Sequence, residues 1–184
     1  MKRVVRPITA KYLHNVAAYY LERYPSSAEG LRRVLNRRVA RARMLEAPVM
    51  ENVSQAIEAV VARFVDAGVI DDRAFAQTKA RSLHRRGTSS RLTRQKLKMA
   101  GVDGDTLDQA MEGLDIELDL TPTQREQRAA AALARRRRLG PYRAAEARKD
   151  HRLRDLATMA RAGFAYDVAR KVVDAASPDA LDET

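Results

Sequence analysis

Cysteine is absent from this 184-residue chain, which excludes a disulfide framework, a thiolate metal site and a cysteine nucleophile together. Tryptophan is also absent and aromatic residues make up only 5%, so any core must be built from Ala, Leu, Val and Met. The three histidines, His14, His84 and His151, lie far apart in sequence and offer no ligand spacing for a metal. No long apolar run occurs. The longest, Ala129 to Ala134, falls well short of the roughly 20 residues needed to span a bilayer, and no apolar segment follows the basic start at Met1 to Arg6. The expected location is cytoplasmic, with no membrane contact. Glycine-rich phosphate loops and G-x-S-x-G elbows are missing too, so the reading is a non-enzyme without cofactors. The carboxylate pair Asp71-Asp72 stands at a helix start, where capping accounts for it.

What is present in excess is positive charge: 35 Lys and Arg against 24 Asp and Glu, a formal net charge of +11. Of the cations, 28 are Arg and 7 are Lys. Codon usage in a GC-rich genome explains much of that bias, while guanidinium forks also suit phosphate and carboxylate recognition. Placement is more informative than the total. Residues 73 to 102 carry nine basic side chains and no acid, and residues 103 to 119 carry seven acids and no base. Charges grouped in this way mark an interaction surface rather than a mixed, solubilising one.

Apolar residues recur at spacings of three and four, as in Ile57, Val60, Val61, Phe64 and Val65, and sustained two-residue alternation does not occur. Pro and Gly punctuate the pattern, and Ser26 or Ser27, Asp71 or Asp72, and Ser89 or Ser90 are candidate helix caps. The expectation is an all-α chain of about nine short helices. Sliding the sequence by 62 aligns Pro25 with Gly87, Ser27 with Ser89 and Leu35 with Leu97; a second slide aligns Leu97 with Met159, Gly101 with Gly163 and Asp105 with Asp167. This predicts three tandem three-helix repeats at 10–66, 67–118 and 119–176, with tails at 1–9 and 177–184, stacked into an elongated, curved body. The third repeat carries an insertion around Gly140 to Lys149.

Within the basic block, a helical wheel puts Leu92, Leu97, Met99 and Ala100 on one half and gathers Arg91, Arg94 and Lys98 within about 60° on the other. Lys96 falls on the apolar half and must snorkel. The three outward cations have no acid in their own stretch of sequence and read as an unpaired binding row. Arg135, Arg136, Arg137 and Arg138 end a helix just before Gly140. The helix dipole favours cations there, but four in succession exceed what capping requires, and contact with phosphate or an acidic partner is favoured. Arg85 and Arg86 complete the candidate partner or DNA contacts. The tyrosines at 12, 19, 20, 24, 142 and 166 are mostly helix-phased and read as packing rather than stacking platforms. His84, amid basic neighbours, reads as a histidine of depressed pKa rather than a general base.

These residues resemble a known family. The stretch Ala59 to Leu114 is similar to the centre of the bacterial RecX family, with Gly68, Ile70, Asp71, Asp72, Phe75 and Ala76 at its Gly-x-[Ile/Leu]-Asp-Asp-x-x-[Phe/Tyr]-Ala start. Arg85 and Gly87 match its turn, Arg94 and Leu97 its basic helix, and Gly101, Val102 and Leu107 the following step. Near the end, Gly163, Phe164, Asp167, Val168 and Val172 resemble the family's closing helix. The loop from Gly140 to Asp150 is longer than the family pattern, and the four-Arg run is heavier. The resemblance implies three tandem three-helix repeats. It also implies a regulator that binds the RecA recombinase filament on single-stranded DNA and limits its ATPase, strand-exchange and co-protease activities in recombination, DNA repair and the SOS response; a monomer is the expected state. Contact with single- or double-stranded DNA through the phosphate backbone is compatible with this. The alternative from composition is an autonomous helical DNA-binding regulator with phosphate-driven, weakly sequence-specific binding.

Overall fold

The computed structural model describes residues 6–182. The chain is all-α, as the periodicity predicts. Its helices are α1 (Ala10–Leu21), α2 (Ala28–Met44), α3 (Val53–Asp66), α4 (Asp72–Arg85), α5 (Ser90–Met99), α6 (Gly104–Leu118), α7 (Pro122–Arg137), α8 (Arg148–Arg161), α9 (Tyr166–Val173) and the short α10 (Asp179–Asp182). Two single turns of tighter 3-10 helix, Gly140–Tyr142 and Ala145–Ala147, occupy the predicted insertion. Among the described residues, β-type pairing is limited to one isolated parallel bridge between Ile8 and Val49.

The chain divides into two compact units. The first comprises 1–75 with 100–103, and the second comprises 76–99 with 104–184. In the first, α1, α2 and α3 close on Leu13, Leu31, Leu35 and Ile57, all essentially inaccessible. Each such buried aliphatic side chain stabilises the unit by about 2 kcal/mol. Ile8 belongs to this core: its N–H bonds the Pro48 carbonyl at 2.9 Å, so the stretch read from sequence as a tail is tied down from Ile8 onward. In the second unit, small side chains on α7 (Ala129, Ala130, Ala134) let α9 approach closely, and Leu133, Met159, Phe164 and Val172 fill the core. The low aromatic content is met by this alanine-rich packing.

Caps decide where the helices begin. Of the paired candidates, Ser27 caps α2 by accepting the Gly30 N–H at 3.0 Å, Ser89 caps α5 by accepting from Leu92 at 3.3 Å, and Asp71 caps α4 by accepting from Ala74 at 2.9 Å. Asp72 has a different role. Its carboxylate accepts the Ala28 N–H at 2.8 Å and so satisfies a free donor at the start of α2, which local capping at its own helix does not explain. A capping box closes the start of α7, Thr121 and Gln124 exchanging side-chain and backbone bonds.

The 62-residue offset is visible as a repeated contact. The Ser27 hydroxyl donates to the Ala100 carbonyl, and Gly101 (φ +84°) lies so close to Glu29 that a Cβ on it would stand 2.3 Å from the Glu29 Cβ. One offset later, Gly163 (φ +88°) lies against Ser89, where a Cβ would stand 2.5 Å from its Oγ. In the first case the serine bonds the residue before the glycine, and in the second the serine hydroxyl lies against the glycine itself.

Candidate functional site

The basic helix α5 buries Thr93 and Leu97 and half-buries Leu92. Met99, assigned to the buried stripe by the wheel, is 67% exposed, and Lys96 is exposed without needing to snorkel. Arg91, Arg94 and Lys98 all face solvent. The row is not unpaired, however. Arg94 forms an ion pair with Asp108 of α6, and Arg81 of α4 binds Glu117 of α6 with an Nε–Oε2 distance of 2.9 Å. The reason is topological: α5 and α6 are consecutive and pack together, so blocks of opposite charge that follow one another in sequence meet in the fold. Arg91 and Lys98 keep no ion-pair partner among the described residues.

Beneath this surface is a buried polar cluster that the sequence reading missed. Arg125, 6% exposed, pairs with Asp115, donates to the Met111 carbonyl at 3.1 Å and reaches the Ser90 hydroxyl at 3.3 Å. Ser90 in turn donates its backbone N–H to Glu126 at 2.8 Å, giving α5 a cap from another helix. The available signal was register: Arg125 sits four residues before Ala129 and eight before Leu133, on the apolar stripe of α7. His84 is buried on the equivalent stripe of α4. Burial depresses its pKa first, and the positive charges of Arg125 and Arg128 lower it further.

The four-Arg run is exposed throughout, and Arg138 closes α7 in the left-handed conformation (φ 54°). The run forms a wall shared by two grooves. The wider one, about 690 Å³, gathers Arg85, Arg128, Arg135 and Arg136 over a floor that includes Leu120 and Ala131. The narrower one, about 370 Å³, gathers Lys96, Arg136, Arg137 and Arg161. Neither lining contains a carboxylate. Of the residues singled out in the sequence, Arg85, Arg135, Arg136 and Arg137 are therefore brought together, whereas Arg86, Arg91, Arg94, Lys98 and Arg138 line neither groove. Arg128, Lys96 and Arg161 are additions. Arg128 was within reach of sequence reasoning, standing seven residues before Arg135 on the same helix face.

The insertion after α7 is held by a buried carboxylate. Asp155 of α8, 1% exposed, accepts the Gly140 N–H at 2.9 Å and two bonds from Arg143 at 2.8 and 2.9 Å. Burial alone would raise its pKa, but the bonds from Arg143 and Gly140 outweigh it and hold the carboxyl below the usual range. Arg148 adds bonds of 2.8 Å to the carbonyls of Pro141 and Ala176. The tyrosines divide. Tyr12, Tyr20 and Tyr142 pack against cores, while Tyr19, Tyr24 and Tyr166 are more than half exposed, and Arg23 stacks 3.7 Å over the Tyr19 ring. The expectation of packing holds for the first three only.

Among the described residues, no cluster of three His, Asp or Glu could hold a metal ion, and no helix is long and apolar enough to cross a membrane. Comparison with known proteins gives a consistent picture. Residues 71–111 match the model of the second three-helix domain of RecX. A regulatory protein RecX from Myxococcus xanthus is 39% identical over 170 residues, covering 92% of this chain and 88% of the relative. One from Agrobacterium fabrum is 33% identical over 113 residues, covering 61% and 56%. The crystal structure of RecX from Lactobacillus salivarius superposes with a TM-score of 0.58 at 16% identity, over 95% of this chain and 97% of that one, a likeness of fold.

Proposed function

The chain belongs to the RecX family of regulatory proteins, and on that premise we propose that it binds the RecA recombinase filament on single-stranded DNA and restrains its ATPase, strand-exchange and co-protease activities. The observation that carries the reading is the pair of carboxylate-free grooves flanking the end of α7, which concentrate six Arg and one Lys on one unit. Guanidinium groups held apart from acids keep their donors for an incoming anion, either carboxylates of a protein or phosphates of its bound DNA. Arg91 and Lys98 extend that field. DNA contact in this arrangement is to the backbone and positions the protein without reading sequence. The protein acts from the cytoplasm as a regulator, without chemistry of its own.

The test is a titration of RecA ATPase activity on single-stranded DNA. Suppression is expected at well below one protein per recombinase, and strand exchange should slow in parallel. Unchanged hydrolysis and exchange at excess protein would overturn the reading. A footprint at one defined operator in physiological salt would instead favour the autonomous DNA-binding regulator.

A further inference from the structure

The wider groove contains one side chain that its arginines do not explain. Leu181, on α10, lines it beside Ala131 and packs against the core under α7. The turn that presents it is fixed by Ala180 N–H on the Ser177 hydroxyl at 3.3 Å and Leu181 N–H on the Pro178 carbonyl at 3.0 Å. The segment around it reads Asp179-Ala180-Leu181-Asp182-Glu183: three acids around one aliphatic residue, in a chain of net charge +11. The groove that Leu181 lines is lined as well by Arg85, Arg128, Arg135 and Arg136, none with an ion-pair partner among the described residues.

We propose that this groove is a docking surface for an acidic peptide carrying an aliphatic anchor, and that α10, seated there through Leu181, is a resident competitor for it. The inference rests on reading these arginines as a binding face, and it names the partner chemistry. Three features favour a peptide over a nucleic acid. The floor is aliphatic, with Leu120, Ala131 and Ala132, and offers one ring, Tyr142, where single strands need successive aromatic platforms. The walls are cationic, which suits carboxylates flanking the anchor. Leu181 already occupies the floor, so an aliphatic side chain fits there.

A tethered competitor acts at an effective concentration near the millimolar range, so even a weak contact in cis reduces the apparent affinity for a partner in proportion to the closed fraction. The probe is a fluorescein-labelled peptide of residues 176–184, titrated by anisotropy into the intact chain and into D179N/D182N/E183Q, which keeps side-chain size and Leu181. The variant is expected to bind the peptide about 3–10-fold more tightly than the intact chain. R128A/R135A in the same background should abolish the gain, with helix content checked by circular dichroism. Equal affinity of the two chains, no peptide binding to either, or binding indifferent to R128A/R135A would overturn the proposal. So would displacement of the peptide by oligo(dT) at lower concentration than by unlabelled peptide, which would assign the groove to phosphodiesters. The RecA ATPase titration run beside it separates the two readings. Suppression without peptide binding removes this inference alone, and peptide binding without suppression removes the RecA reading alone.

Discussion

The hydroxyl of Ser27 serves two stretches of backbone, accepting the Gly30 N–H at 3.0 Å and donating to the carbonyl of Ala100, 73 residues further on. Ser27→Ala therefore removes a helix cap and leaves a carbonyl without its donor. The expected loss is about 2–3 kcal/mol, from roughly 1 for the cap and the remainder for the orphaned acceptor. Ser89→Ala removes a cap whose bond to Leu92 is longer, at 3.3 Å, and should cost about 1 kcal/mol. Urea unfolding of the two variants decides the point, and equal losses would mean that the Ala100 contact adds nothing.

Gly101→Ala and Gly163→Ala should each destabilise by more than about 1 kcal/mol, because both residues have positive φ and both face a neighbour closer than a Cβ tolerates. Gly113 provides the contrast. It lies inside α6 with nothing nearer than Gln77 at 4.0 Å, so Gly113→Ala is expected to raise stability by about 0.5–1 kcal/mol. A uniform response of the three in thermal unfolding would refute the packing argument.

The repeat was legible in the sequence because the same cap and the same glycine recur at one offset, and those residues are set by local backbone geometry. The helices were legible for a similar reason, their apolar spacing being a one-dimensional signal. Charge was not. Nothing in the acid-free block from 73 to 102 reveals that Asp108 would face Arg94 or Glu117 would face Arg81, since pairing depends on how successive helices pack. The grooves were half legible: the Arg run announced itself, but Arg85 joins it from 50 residues away only in the folded chain, and Arg161 is brought to the narrower groove from α8. Arg125 is hard to single out in the sequence because a lone cation on an alanine-rich helix looks like a solvated one until its register is checked.

Asp155 ties acid stability to the insertion. Its folded pKa is depressed, so the unfolded chain binds its proton more readily, and the stabilisation is complete above about pH 4, the unfolded value. It is lost as pH falls from there through the folded value. Asp155→Asn should flatten this part of the acid unfolding curve while lowering stability at pH 7, and Asp155→Ala, which strands Arg143, should cost about 3–5 kcal/mol. Unfolding midpoints measured between pH 2 and 7 test both statements, and an unaltered acid limb in Asp155→Asn would assign the sensitivity elsewhere.

His84 acts in a higher window and with the same sign. Its folded pKa is lowered, so the unfolded state takes up the proton first, and stability falls as pH drops below about 6.5 towards the folded value. His84→Gln should remove the dependence between pH 5 and 7 and leave the Asp155 limb intact. A histidine resonance followed by NMR gives the folded pKa directly. A value at or above that of the unfolded chain would reverse the prediction.

The pairing of Arg94 with Asp108 implies that α6 shields the basic helix it follows. Both side chains are well exposed, so the pair adds little to folding, at most about 1 kcal/mol. Asp108→Asn should therefore leave the unfolding curve almost unchanged while releasing Arg94 beside Arg91 and Lys98. If the proposed restraint of RecA holds and that face meets an anionic partner, the concentration of protein giving half suppression of RecA ATPase falls by about 2–5-fold at low salt, and the advantage shrinks as added salt screens it. Arg94→Ala removes the released charge, and combined with Asp108→Asn it should cancel the gain. If Asp108→Asn leaves half suppression unchanged at every salt concentration, the α5 face lies outside the contact and binding is confined to the grooves beside α7.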